Sequence, residues 1–127
     1  MSMFTHVVVG TNNLPKAQVF YDGVLSTLGA KRLMDMGDKA SLWGAEAPQF
    51  MVTLPANGQP ASHANGGTIG LAASTRDAVH AFHKKALELG GTCEGEPGPR
   101  AFSPTAYAAY IRDLDGNKLC AFCFAPG

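Results

Sequence analysis

The chain repeats itself. Shifted by 62 positions, Phe20 falls on Phe82, Leu25 on Leu87 and Gly29 on Gly91, while Val7 falls on Ile69 and Val9 on Leu71. Each copy opens on a short β-rich run, "FTHVVVG" and then "GTIGLAA", and continues into a helical pattern closed by glycine. A duplicated unit constrains the fold more than composition does, because both copies must build the same elements in the same order.

In the first copy Asn12 or Asn13 caps a helix with Pro15 in its first turn. Leu14, Ala17, Phe20, Tyr21, Val24, Leu25 and Leu28 give it an apolar stripe, and Gly29 stops it. In the second copy Ser74 with Asp77 resembles a capping box. There Ala78, Val79, Phe82, Ala86 and Leu89 form the stripe, and Gly90-Gly91 ends it. Short strands are expected near 30–35, 39–44 and 49–54, and again near 92–95, 106–113 and 117–124. Each copy therefore reads βαβββ. The tract "PANGQPASHANGG" (55–67) joins them. Half the chain is too small to bury a good core alone, so residues 1–127 are read as one domain. Its modules run from about 1 to 55 and from about 67 to 127, with the linker between.

Ten basic residues balance ten acidic ones without blocks of either sign, which argues against nucleic-acid or membrane partners. No run approaches a membrane span, and the first residues lack a signal-peptide pattern. Three cysteines without such a signal point to reduced thiols in a cytoplasm.

Strand side chains alternate faces. Thr5, Val7 and Val9 take one face, with Ile69, Leu71 and Ala73; the aliphatic character of this set suits it to meet the helices. Phe4, His6 and Val8 take the other face, with Thr68, Gly70 and Ala72. Cys120 and Cys123 stand three apart in "GNKLCAFCF". In a strand such residues point to opposite faces with Cα atoms roughly 10 Å apart, beyond the reach of about 7 Å that a disulfide allows. Nor can both hold one zinc ion. Cys123 and Leu119 are expected in the core; Cys120, Lys118 and Phe122 are expected on the open face with His6, and Cys120 is expected to be accessible there.

The doubled βαβββ order, with "FYDGVLSTLG" ending the first helix and "RDLDGNKL" (112–119) leading into the last strand, resembles the vicinal oxygen chelate superfamily. This is the group of glyoxalase I, bleomycin-resistance proteins and extradiol dioxygenases. The resemblance covers essentially the whole chain, and "NGGTIGLAA" and "GGTCEGEPGPR" are similar to a bacterial glyoxalase-like branch. It implies an α+β fold of two βαβββ modules whose sheets curl around a central cavity. It also implies a small-molecule ligand and a homodimer whose modules pair within or across chains.

In metal-using members the first and fifth strands offer His or Gln and the fourth and eighth a carboxylate, around an ion that stabilises an enolate. Carried over, the first position falls on His6, which matches. The fifth-strand position falls on Thr68, the eighth on Cys120 and the fourth on Val52, and no carboxylate occurs in 49–54. With His6 as the one matching ligand, no metal cofactor is expected and the cavity reads as a binding pocket. The alternative is a glyoxalase-like lyase or isomerase, or a dioxygenase, that uses a divalent ion (Zn, Ni, Mn or Fe). In an enzyme His6 would be the general base and Cys120 a nucleophile or ligand.

Arg100, in a Pro/Gly-rich loop, is either a fork for a carboxylate or phosphate at the cavity mouth or a surface arginine. Tyr107, Trp43 and Phe50 line the pocket or pack the core. His80 and His83 flank Phe82 beside two lysines and read as a solvated helix face. His63 is assigned nothing, and Cys93 has no ligand partner nearby in sequence.

Overall fold

The computed structural model describes residues 2–101 and 103–126; Met1, Phe102 and Gly127 lie outside them, so the outermost module limits do as well. In chain order the elements are β1 (Val7–Gly10), α1 (Leu14–Ser26), β2 (Lys31–Met36), β3 (Ala40–Gly44) and β4 (Phe50–Thr53). Then come β5 (Ile69–Ala72), α2 (Arg76–Glu88), β6 (Thr92–Pro99), β7 (Tyr107–Arg112) and β8 (Lys118–Cys123). The pattern is βαβββ twice. The 62-residue shift carries β1 onto β5 and α1 onto α2 residue for residue. Beyond the helices the offset grows, because β6 has eight residues against six in β2 and a longer loop precedes β7.

Local chemistry sets the helix ends. The Asn13 side chain accepts from the Lys16 amide at 3.1 Å and Pro15 sits in the first turn of α1. In α2 the cap is Thr75, one residue later than Ser74: its hydroxyl accepts from the Ala78 amide at 3.0 Å. Past the C-termini Gly29 (φ +84°) and Gly90 (φ +100°) take left-handed backbone that favours glycine. Gly91 is fixed by crowding instead, since a Cβ there would stand 2.7 Å from the Arg112 carbonyl oxygen.

Each module makes a four-stranded sheet, ordered β1-β4-β3-β2 and β5-β8-β7-β6. In both, the first pair is parallel and the others antiparallel. Neither sheet closes into a barrel. One helix covers each sheet, the helices touch each other, and a continuous apolar core runs through both modules. Tyr21 lies at its centre, with ring centroids 5.1 Å from Phe20, 5.6 Å from Trp43 and 5.0 Å from Phe50.

Polar ties join the modules at the "RDLDGNKL" turn. The Tyr21 hydroxyl donates to the buried Asp113 carboxylate, which also accepts from the Asp115 amide at 2.9 Å and the Asn117 amide at 2.8 Å. The Asn117 side chain donates to Asp113 and to the Gly10 carbonyl, both at 2.9 Å. The turn that looks most distinctive in the sequence is thus a fastening between modules. Among the described residues no helix is long and apolar enough to cross a membrane.

Candidate functional site

Residues directly opposite in a sheet share a face, so register defines the uncovered side. In the first sheet Val8, Met51, Leu42 and Met34 form one row across the four strands. Gly10, Thr53, Ala40 and Met36 form the next. The corresponding row of the second sheet is Gly70, Cys120, Tyr110 and Gly95. One open face is therefore aliphatic with thioethers, and the other carries a thiol, a phenol and basic groups.

Two cavities lie along these faces. The larger, about 780 Å³, has Met36, Ala40 and Met51 as its floor and Leu54, Pro55 and Pro60 of the linker as a wall. Among the described residues Lys39 is the one charged side chain lining it. The linker is held there because the Asn12 side chain both accepts from the Ala61 amide (2.7 Å) and donates to its carbonyl (3.1 Å). The smaller, about 340 Å³, lies between β1 and β5 and includes Val8, Thr68 and Lys118.

His6 is exposed just before β1, its Nδ1 3.0 Å from the Thr5 hydroxyl. Thr68, its counterpart in the repeat, is exposed just before β5. Cys120 points to the open side but is only 4% exposed, so it is not the accessible thiol expected from alternation alone. Burial pushes its thiol up, against the opposing effects of a hydrogen bond to Tyr110 and of nearby Lys118. Tyr110 is also pushed up, first by burial and then by Cys120. Cys123 is fully buried on the helix side.

Three pocket residues face the other way. Val52 is fully buried against the helices; its row partners are Val9 and Ser41, and the β4 residues on the open face are its neighbours Met51 and Thr53. Met51 stands opposite Val8 as Cys120 stands opposite Gly70, so it is the true counterpart of Cys120. Trp43 is fully buried and donates its indole N–H to Asp22 of α1 at 3.0 Å. Tyr107 lies on the α2 side, its hydroxyl 2.6 Å from His80 Nε2 and its ring under the Arg76 guanidinium. Phe50 packs in the core. Arg100 folds back on its own strand, donating to the carbonyls of Glu96, Gly98 and Pro99 and lying over the Tyr110 ring. Those bonds occupy much of the fork.

The position that would hold a metal in the metal-using relatives thus offers imidazole, thioether, hydroxyl and a buried thiol, from His6, Met51, Thr68 and Cys120. It offers no carboxylate. Hard divalent ions want oxygen donors, and zinc wants three or more protein ligands drawn from thiolate sulfur, imidazole nitrogen and carboxylate oxygen, of which this position has an imidazole and a buried thiol alone. The donor set does not fit. Among the described residues the group of three that does gather metal-ligating atoms lies elsewhere, at His83, Cys93 and Glu96. His83 is only 6% exposed, contrary to the solvated face expected for it. Two signals mark it as inward: the shift of 62 places it on Tyr21, and 79, 82, 83 and 86 follow helical core spacing.

The family model of the Glyoxalase/Bleomycin resistance protein/Dioxygenase superfamily matches residues 3–121. A glyoxalase/bleomycin resistance protein from Albidiferax ferrireducens T118 is 43% identical, with a TM-score of 0.88 over 96% of this chain and 99% of that one. Two more distant structures share the fold. The fosfomycin resistance protein FosX from Mesorhizobium loti is 13% identical, TM-score 0.69, over 98% of this chain and 94% of that one. Lactoylglutathione lyase from Agrobacterium tumefaciens is 18% identical, TM-score 0.65, over 97% and 94%. None of the curated proteins matches.

Proposed function

Because this chain belongs to the glyoxalase/bleomycin resistance protein/dioxygenase superfamily, we propose that it binds a small, mainly apolar organic molecule on its open face without a metal at the superfamily position. The observation that carries this reading is the cleft of about 780 Å³. Its volume falls within the roughly 300–1,000 Å³ of small-molecule sites, and its lining is mostly apolar with a few polar groups, as such sites are. Lys39, which lines it, favours a ligand with an anionic end. The mismatched donor set at His6, Met51, Thr68 and Cys120 argues against enolate chemistry there. The raised Cys120 thiol stays neutral near pH 7, which argues against a nucleophilic role.

Anilinonaphthalene sulfonate has an apolar body and one anionic group, and serves as a probe. It is expected to bind saturably, at about one per chain, with fluorescence enhancement. Met51→Lys should weaken it tenfold or more, and Lys39→Ala should weaken it less. Failure to saturate, or indifference to Met51→Lys, would refute the cleft as the site.

A further inference from the structure

We propose that His83, Cys93 and Glu96 form a zinc site on the helix side of the second module, with a fourth coordination position open to solvent. His83 Nε2 and Cys93 Sγ lie 3.2 Å apart. With a Glu96 carboxylate oxygen, all three donor atoms fall within 4.8 Å of one another. Donors around tetrahedral zinc, at about 2.0–2.3 Å from the ion, stand roughly 3.3–3.8 Å apart. Rotation of exposed side chains closes that gap: Cys93 and Glu96 are both exposed, while buried His83 is held by α2.

A bulge makes the site. Residues three apart in a regular strand face opposite sides, which keeps Cys120 and Cys123 from sharing an ion. In β6 the register runs Cys93 to Ile111 and then Gly95 to Tyr110, so two steps on β6 oppose one on β7. The extra residue resets the alternation, and Cys93 and Glu96 both reach the α2 side. Glu94, between them, turns to the other face and pairs with Arg112 at 3.3 Å. Arg100 donates to the Glu96 carbonyl at 2.8 Å and fixes the backbone there.

The donor types favour zinc over harder ions. Nitrogen, sulfur and carboxylate oxygen are its usual partners, and three protein ligands leave one position free. Packing alone explains the arrangement poorly. A thiol is a weak hydrogen-bond partner for a buried imidazole, whereas Tyr21, at the same place in the first copy, has a carboxylate.

The full chain, stripped of metal, is titrated with Co²⁺ as a spectroscopic stand-in and with Zn²⁺ against a chromophoric chelator. One ion per chain is expected, with a thiolate-to-cobalt charge-transfer band that disappears in Cys93→Ser. Glu96→Gln and Cys93→Ser should each weaken zinc by more than the roughly 10–100-fold that loss of a ligand's own supporting partner costs. Both positions are exposed, and unchanged circular dichroism would show that the variants fold. His6→Ala and Cys120→Ser should leave binding intact. The proposal is overturned by no stoichiometric binding at micromolar ion, by binding that survives both substitutions, or by binding lost in His6→Ala.

Discussion

At the scale of single residues, the three cysteines divide by environment. Cys93 is exposed, while Cys120 and Cys123 are buried on opposite faces of β8. In metal-free native protein a thiol reagent should modify Cys93 first and reach the other two only on unfolding. Early modification of Cys123 would mean the β8 register is wrong. Cys120, Tyr110 and Tyr21 all have ionisations pushed up, in each case first by burial; for Tyr21 the Asp113 charge adds to it. The folded state therefore resists losing these protons more than the unfolded chain does. Their contribution is fully present below the ordinary values of 9.0 for the thiol and 10.0 for the phenols, and is lost as pH rises toward the raised values. The urea midpoint should accordingly fall above about pH 9, and Cys120→Ala should blunt the early part of that fall. A midpoint that holds steady to pH 11 would contradict it.

At the scale of elements, the β7–β8 turn carries more energy than its position on the surface of the sequence suggests. Tyr21→Phe removes a donor from buried Asp113 and should cost about 1.5–3 kcal/mol, as hydrogen bonds to charged groups do. Urea denaturation measures it, and a change below about 0.5 kcal/mol, the range of an ordinary surface substitution, would show the bond to be idle. Most elements were legible in the sequence. Periodicity, asparagine and proline at a helix start, and the 62-residue shift placed both helices and all eight strands within a few residues. The faces of β1, β5 and β8 followed from alternation. What failed was register in short strands. "FMVTLP" gives only four strand residues, so placing the open-face residue at Val52 rather than Met51 was a one-residue slip that reverses the face. Trp43 and Tyr107 look like pocket aromatics by type, but their polar atoms are satisfied from the helices, by Asp22 and His80. The bulge in β6 leaves no local signal beyond its glycines, so the meeting of His83, Cys93 and Glu96 could only come from three dimensions.

At the scale of the whole molecule, a shared core and the Tyr21–Asp113 and Asn117–Gly10 ties join the two modules. The open faces carry large exposed apolar side chains, Val8, Met34 and Met36 among them, and Phe124 is exposed at the end of β8. Open sheets with such faces are costly to leave wet, and a second copy would cover them. Sedimentation at micromolar concentration should give about twice the chain mass of 13.3 kDa, with Val8→Lys and Met34→Lys shifting it toward one; a wild-type monomer at every concentration would refute the pairing. The central claim is that the open face binds its ligand without a metal at His6, and it is tested most directly by one titration. Anilinonaphthalene sulfonate is added to the protein as purified, after chelation, and with Zn²⁺, Ni²⁺, Mn²⁺ or Fe²⁺ restored, beside His6→Ala under the same conditions. The account predicts affinities within about twofold throughout, since neither an ion nor an imidazole at that position takes part in an apolar cleft site. A tenfold loss on chelation, reversed by one of these ions and absent from His6→Ala, would contradict it.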